Sequence, residues 1–599
     1  MKGTGGGSRL GNPLRKLSFT TTLSPFRTTC PFSPSPTHVP PRTLNIVLGD
    51  LFKPAKRPRP DKNRAPCHSA GLKGLPIRLL LYEGARHLKL NRSSMLYGTL
   101  VLTGTSIVSQ VLGFIYRIFL SRLIGAEVMG LYQLIMPVYS VIMSLTAVGL
   151  TVAMSNLSAE YHALHNRRAI TQLLRRCLGA FLILFALVAG ATVLLYDPIS
   201  VYFLGDARTQ LGLLLLLPCI LLTGIENLHK HYFYGTGNIR PPAAVELTEQ
   251  FIRTGAVLGL LVLFLPQNAE RTVALIVVGM CVSELFSSVT LVLLFQRHMR
   301  RADGLPGAGE GSRHLNHRIL VIAAPIAATS LLGNLMGSAN AVLIPQRLVA
   351  AGMDVSQAMS SFGVLCGMTV PMLYLPTAFI GALGLVLVPK LARSTALGRK
   401  EEVCRRIHKS LLATSVITMP AMALLVVLGP TIGVYLFREP TVGEYIIPLS
   451  ISVLLSCYQS VLAGSLNGVG KQSSAAVISL VCGAVQLACT FFLMGLPGVG
   501  LKGYVAGVLV TSVLGVLLCW LRVHRATGLK AQLFQWCTAP ALASLLMGLV
   551  VNLLFRVLMD SGMDGVPACL CCIVFGGVLY LIALSVQGVR PTRLFRLPQ

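Results

Sequence analysis

Charge is scarce in this sequence. Only 12% of its 599 residues are Asp, Glu, Lys or Arg, while 53% are hydrophobic. A soluble domain carries roughly 25% charged residues. A deficit spread over hundreds of residues excludes a water-exposed surface, and the mean hydropathy of +0.70 agrees. Acidic residues are scarcest, 21 against 51 basic. The net charge of +30 would suit nucleic acid, but the basic residues past residue 94 sit in short loops between apolar stretches. That is the pattern of a membrane protein, not of a nucleic-acid groove. A Walker loop is missing too, and with it a built-in ATP engine. No long polar loop offers a nucleophile and a base, so the sequence does not read as an enzyme. The fifteen cysteines are scattered. Cys569, Cys571 and Cys572 cluster in an apolar run without His or carboxylate at ligand spacing, so they read as small buried hydrophobes, and no metal or cofactor is expected.

What is present is a long series of apolar runs. Residues 1–94 stand apart: they are rich in Pro, Arg, Ser and Thr and hold 17 of the 51 basic residues. Such composition cannot bury a core. It fits a transit peptide or a lipid-binding tail, but apolar periodicity begins at Leu96 without a linker, which favours Met95 or a nearby codon as the start. From there, stretches of about 20 apolar residues, enough to cross a bilayer, predict spans at 96–118, 130–155, 177–196, 209–229, 241–265, 272–296, 318–345, 359–388, 410–437, 444–466, 473–496, 502–523, 535–556 and 565–586. The two long spans, 318–345 and 359–388, invite a tilt, kink or break, with Pro325 and Pro371 as kink points. With the N-terminus in the cytoplasm, the cytoplasmic loops hold 25 Lys and Arg and the opposite loops 8. That bias predicts fourteen spans with both termini inside.

The polar loop at 297–317 separates spans one to six (95–296) from seven to twelve (318–530), and residues 531–599 add two helices and a tail. A repeat crosses the loop. Phe233-Tyr234-Gly235-Thr236-Gly237 follows span four, and Leu466-Asn467-Gly468-Val469-Gly470 follows span ten. The expected fold is therefore an all-α polytopic membrane protein, with two six-helix lobes related by a pseudo-twofold along the membrane normal plus two C-terminal helices. Parallel repeats of this kind place a substrate path between the halves.

Ionisable residues inside spans are costly and face a bundle interior or a water-filled cavity. In span five Glu246, Glu249, Gln250 and Arg253 share one helix face. Arg253, twelve residues past Pro241, lies roughly 18 Å deep. These residues read either as a cavity wall for a polar head group or cation, or as a Glu249–Arg253 pair that neutralises itself. Glu226 closes span four beside Lys230 and Glu284 lies within span six. Both are candidates for ion coupling or gating, or ordinary interhelical contacts. Arg117, Arg122 and Arg347 stand on the outer side, where the charge rule does not ask for arginine. A guanidinium binds phosphate well, so they read as contacts to an anionic lipid-linked substrate, or as side chains snorkelling to lipid phosphates.

The segment Val111-Leu112-Gly113-Phe114-Ile115-Tyr116-Arg117-Ile118-Phe119-Leu120-Ser121-Arg122-Leu123-Ile124-Gly125-Ala126-Glu127, then Met129-Gly130-Leu131-Tyr132-Gln133, resembles the start of the stage V sporulation protein B and polysaccharide-biosynthesis family. This family lies in the multidrug/oligosaccharidyl-lipid/polysaccharide exporter superfamily, with the lipid II flippases. Phe233-Tyr234-Gly235, Glu249-Gln250, Arg253 and Ile344-Pro345-Gln346-Arg347-Leu348 resemble it as well. The resemblance covers about 95–590. It implies a bacterial plasma-membrane flippase that moves an undecaprenyl-diphosphate-linked saccharide by alternating access, with a link to spore cortex or cell-wall peptidoglycan. Partners would be the lipid-linked glycan precursor, membrane lipids and wall-synthesis or sporulation proteins. Lipid II flippases tend to have Ser-Arg where this chain has Ser109-Gln110, and their next arginine falls at Tyr116. Alternative readings are an ion-coupled multidrug exporter on the same fold and a non-transporting scaffold.

Overall fold

The computed structural model describes residues 95–264, 268–301, 312–496, 498–530 and 532–588; the predicted basic extension at 1–94 and the tail arginines Arg590, Arg593 and Arg596 lie outside them. Every regular element among the described residues is helical. This is expected of a backbone that must satisfy its own hydrogen bonds in lipid. Among the described residues, thirteen helices are long and apolar enough to cross a bilayer. The first, Thr103–Ala163, runs for 61 residues and covers most of the first predicted span, 96–118, and all of the second. It breaks at Gly125, whose φ of 75° and ψ of 177° suit glycine. Its two arms, counted separately, make fourteen spans.

The first lobe comprises α1 (Met95–Met143), α2 (Gly149–Ala163), α3 (Arg167–Leu194), α4 (Gln210–Gly235), α5 (Arg240–Phe264) and α6 (Ala269–Arg301). The second comprises α7 (Ser312–Ala350), α8 (Val355–Phe362), α9 (Thr377–Ala396), α10 (Lys400–Ile432), α11 (Ile446–Gly468), α12 (Gln472–Met494) and α13 (Leu501–Thr527). Of the two long predicted spans, α7 runs on through Pro325. The other is broken: a π-helical turn at Gly363–Thr369 and a short helix at Val370–Tyr374, which holds Pro371, separate α8 from α9.

The lobes repeat one packing scheme. Helices α4 and α5 both pack on α6, as α11 and α12 pack on α13; α1 packs on α5, as α7 packs on α12; α2 packs on α4, as α9 packs on α11. The π-helical turn at Ser144–Val148, between α1 and α2, has its counterpart at Gly363–Thr369. The turn at Ile199–Leu204, beyond α3, has its counterpart at Gly433–Phe437, beyond α10. The repeated glycine motif does the same work twice. Gly237 and Gly470 end their helices with φ of 73° and 79°, and each amide donates to a carbonyl three residues back, Tyr234 or Asn467, at 3.2 Å. Gly235 lies against the Ser155 backbone of α2, and Gly468 against Val388 and Leu391 of α9. Two further helices, α14 (Leu533–Asp560) and α15 (Gly565–Val586), pack on α10. They share a small core of Val416, Leu428, Met547, Val551, Cys572 and Leu584, so Cys569 and Cys572 are buried hydrophobes, as read from sequence, whereas Cys571 faces outward and is exposed.

Two of the seams between the lobes show how closely their backbones approach. At one, α1 meets α8: Gly130 lies against the Met359 backbone and Gly363 against that of Ala126. At the other, the second arm of the long helix meets α7 through polar contacts. Ser144 and Ser330 hydroxyls are 3.2 Å apart, Asn334 donates to the Ser144 hydroxyl at 2.5 Å, and Arg318 pairs with Glu160 at 2.5 Å. Small and neutral polar residues let backbones approach without a strong hydrophobic drive. Replacing Gly363 with leucine forces a side chain into the Ala126 carbonyl, so Gly363→Leu is expected to cost about 1–3 kcal/mol. Thermal unfolding of the purified protein checks this, with Gly255→Leu, which faces open space, as the neutral control.

Candidate functional site

The predicted polar face of α5 meets two other helices of its lobe. Gly279 of α6 allows the approach, since a Cβ there would lie 2.8 Å from the Val257 Cα of α5. Arg253 then reaches across: its guanidinium binds Glu249 one turn earlier on α5 and Glu284 of α6, the latter at 2.7 Å. Its Nε donates to the Ser283 hydroxyl at 3.3 Å, and Ser287 donates to the second Glu249 oxygen at 3.2 Å. From α4, Lys230 pairs with Glu226 at 3.0 Å and stands 4.0 Å from Glu246.

The self-neutralising Glu249–Arg253 pair is therefore only part of a larger cluster. Glu226, Glu249 and Glu284 are each no more than 5% exposed, and one oxygen of each lies within 4.8 Å of the other two. Two cations, Arg253 and Lys230, face these three carboxylates, or four with Glu246. The other oxygen of Glu284 is buried without a hydrogen-bond partner. Buried charge is tolerated when paired and costly when not. A proton or a small cation would supply the missing positive charge.

The second lobe holds a neutral counterpart. Gln486 lies sixteen residues past Gly470, as Arg253 lies sixteen past Gly237. Gln486 accepts from Thr511 of α13 at 3.0 Å, where Arg253 donates to Ser283 of α6. Thr490 of α12 donates to Asn340 of α7 at 2.7 Å. Charge is confined to the first lobe's copy of this network.

The three outer arginines have different surroundings. Arg117 lines a cavity of about 270 Å³ between the lobes, with Gln110 and Phe114 of α1 facing Pro371, Tyr374 and Thr377. It has no hydrogen-bond or ion-pair partner among the described residues. Helix α1, which carries Arg117, packs on α5, which carries Arg253, so the cavity and the charged cluster border the same helix pair. Arg122 donates to the Leu436 carbonyl at 2.6 Å and to that of Tyr435, at the end of the π-helical turn beyond α10. Arg347 stacks on the Phe491 ring of α12, 4.2 Å from its centroid. The structure thus groups Glu226, Glu246, Glu249, Arg253 and Glu284, sets Arg117 at the lobe interface, and gives Arg122 and Arg347 partners elsewhere. Sequence reasoning sets Lys230 beside Glu226 in the polar cluster that closes span four, without joining it to Glu246, and does not single out Ser283 and Ser287. The four-residue step from Glu226 to Lys230 was the available signal, while the serines became visible only through the packing of α6.

Comparison with known proteins follows this geometry. Residues 95–395, half of the chain, match the family model described as polysaccharide biosynthesis protein. Stage V sporulation protein B of Bacillus subtilis (strain 168) is 25% identical over 447 residues, covering 73% of this chain and 84% of that protein. Lipid II flippase MurJ of the same organism is 22% identical over 522 residues, covering 82% and 94%. A solved structure of lipid II flippase MurJ in an inward closed conformation superposes with a TM-score of 0.60 at 13% identity, covering 81% of this chain and 98% of that one. The chain belongs to the polysaccharide biosynthesis protein family, as a multi-pass membrane transporter of the flippase type rather than an enzyme.

Proposed function

We propose that this transporter flips an undecaprenyl-diphosphate-linked saccharide, a peptidoglycan precursor for cell wall or spore cortex, by alternating access of its two lobes. The plasma membrane of a bacterium would be its site, with both termini cytoplasmic. The observation that carries the reading is Arg117, an unpartnered guanidinium on a cavity between the lobes. A diphosphate and its sugars cannot cross hydrocarbon unassisted, because each unsatisfied polar group costs several kcal/mol. An arginine there supplies charge-assisted hydrogen bonds to phosphate, and Gln110, Tyr374 and Thr377 beside it supply neutral partners for sugar hydroxyls. The names of two relatives, a lipid II flippase and a sporulation protein, support the substrate class. Proteins of wall synthesis or sporulation are its expected partners.

In this reading Arg253, Glu249 and Glu246 form the charged wall behind the cavity, and Glu226 and Glu284 are the coupling carboxylates. Binding of a proton or cation offsets their excess charge and biases one lobe arrangement over the other. A membrane potential adds about 2.3 kcal/mol per charge per 100 mV. Arg122 and Arg347 contribute by holding the outer ends of α1 and α7 that border the path.

The acidic excess also favours a second reading, an ion-coupled exporter of cationic small molecules. Binding of lipid II and of a cationic dye to purified protein separates the two. Lipid II binding that Arg117→Ala weakens about tenfold or more, as loss of a charge-assisted contact predicts, supports the flippase. Dye binding without lipid II binding overturns it.

Coupling has its own test. Wild-type flux in proteoliposomes is expected to accelerate with an imposed proton or sodium gradient, and Glu284→Gln is expected to lose that acceleration. The same gradient response in both proteins would remove Glu284 from the coupling site.

A further inference from the structure

A separate groove of about 640 Å³ opens between α3 and α7. The π-helical turn at Ser144–Val148 and the start of α2 form its floor, through Leu145, Thr146, Gly149 and Leu150. Gly149 lies against the Ala323 carbonyl of α7, so one wall and the floor belong to the first lobe and the other wall to the second.

Both walls change from polar to apolar at one level. On α3, Gln172, Arg175 and Arg176 line the mouth and Ile183 and Leu184 the depth. On α7, Asn316 lies at the mouth and Leu320 and Ala324 below it. The change coincides with the ends of the spans, for no charged residue follows Arg176 in α3 and none separates Arg318 from Arg347 in α7. The mouth therefore lies at head-group depth, on the face predicted to be cytoplasmic. No acidic side chain lines the groove. Arg175 is exposed and has no partner among the described residues, and the Gln172 side-chain oxygen is buried without a hydrogen bond. Ile183 and Leu320 are 71% and 63% exposed, which suits contact with a hydrocarbon chain.

We propose that this groove binds one anionic phospholipid of the bilayer, with its phosphate at Arg175 and an acyl chain between α3 and α7. Phosphate matches a cationic mouth without carboxylates. The small residues Gly179, Ala180 and Ala324 leave room for a chain. A lipid seated there touches both lobes and stabilises the seam between them. The proposal does not depend on which substrate the transporter moves.

Native mass spectrometry of the purified full chain, titrated with phosphatidylglycerol or phosphatidylcholine, tests it. One phosphatidylglycerol is expected to bind about tenfold more tightly than phosphatidylcholine. Arg175→Gln should remove that preference, and Ala324→Trp, which fills the groove, should weaken both lipids. Arg556→Gln, a charge change on α14, should alter neither. Unchanged preference in Arg175→Gln, or an equal loss in Arg556→Gln, would overturn the site. Displacement of phosphatidylglycerol by equimolar undecaprenyl phosphate would assign the groove to the transported lipid class and overturn the phospholipid.

Discussion

Arg253 is the constraint on which the first lobe depends. A guanidinium in the middle of an apolar bundle is stable only if its donors are met, and it meets them on two helices at once through Glu249, Glu284 and Ser283. This fixes the register of α5 against α6. Lys230, 4.0 Å from Glu246, and Glu226, with an oxygen within 4.8 Å of those of Glu249 and Glu284, bring α4 into the same cluster. The excess of carboxylate over cation then makes the lobe's packing sensitive to one added positive charge. Because α1 packs on α5 and also forms the lobe interface, a change in the cluster has a short mechanical route to the seam.

The internal repeat sharpens the meaning of that cluster. Both lobes use the same helix pairings, the same π-helical turns and the same glycine pair after their fourth span. At the matching place in the second lobe stands Gln486, bonded to Thr511. A neutral network suffices to hold three helices of this design together. The charged version in the first lobe is more expensive than structure alone demands, which is the ground for the proposed coupling role.

Much of this was legible in the sequence because lipid simplifies the code. Length and hydropathy locate the spans, basic loops suggest their orientation, and the glycine motifs reveal the repeat. The polar face of α5 followed from three- and four-residue spacing. Contacts between helices did not follow. Nothing in the spacing says that Glu284 turns toward Arg253, that Arg122 binds carbonyls beyond α10, or that Arg347 stacks on Phe491, since each partner lies on a distant segment brought near only by packing. The lobe-interface setting of Arg117 likewise required α1 and Val370–Tyr374 to be placed side by side. The break at Gly125 falls between the first two predicted spans, 96–118 and 130–155, but hydropathy did not show that the chain stays helical up to the glycine on both sides.

Thermal stability of charge-neutralising variants tests the claim that Arg253 organises the lobe. Arg253→Met alone strands two buried carboxylates, Glu249 and Glu284, and should destabilise the protein by about 3–5 kcal/mol, the range for breaking a buried pair. The triple variant Arg253→Met, Glu249→Gln, Glu284→Gln imitates the neutral network of the second lobe and should recover most of that loss. An Arg253→Met protein as stable as wild type, or a triple variant less stable than the single one, would contradict it.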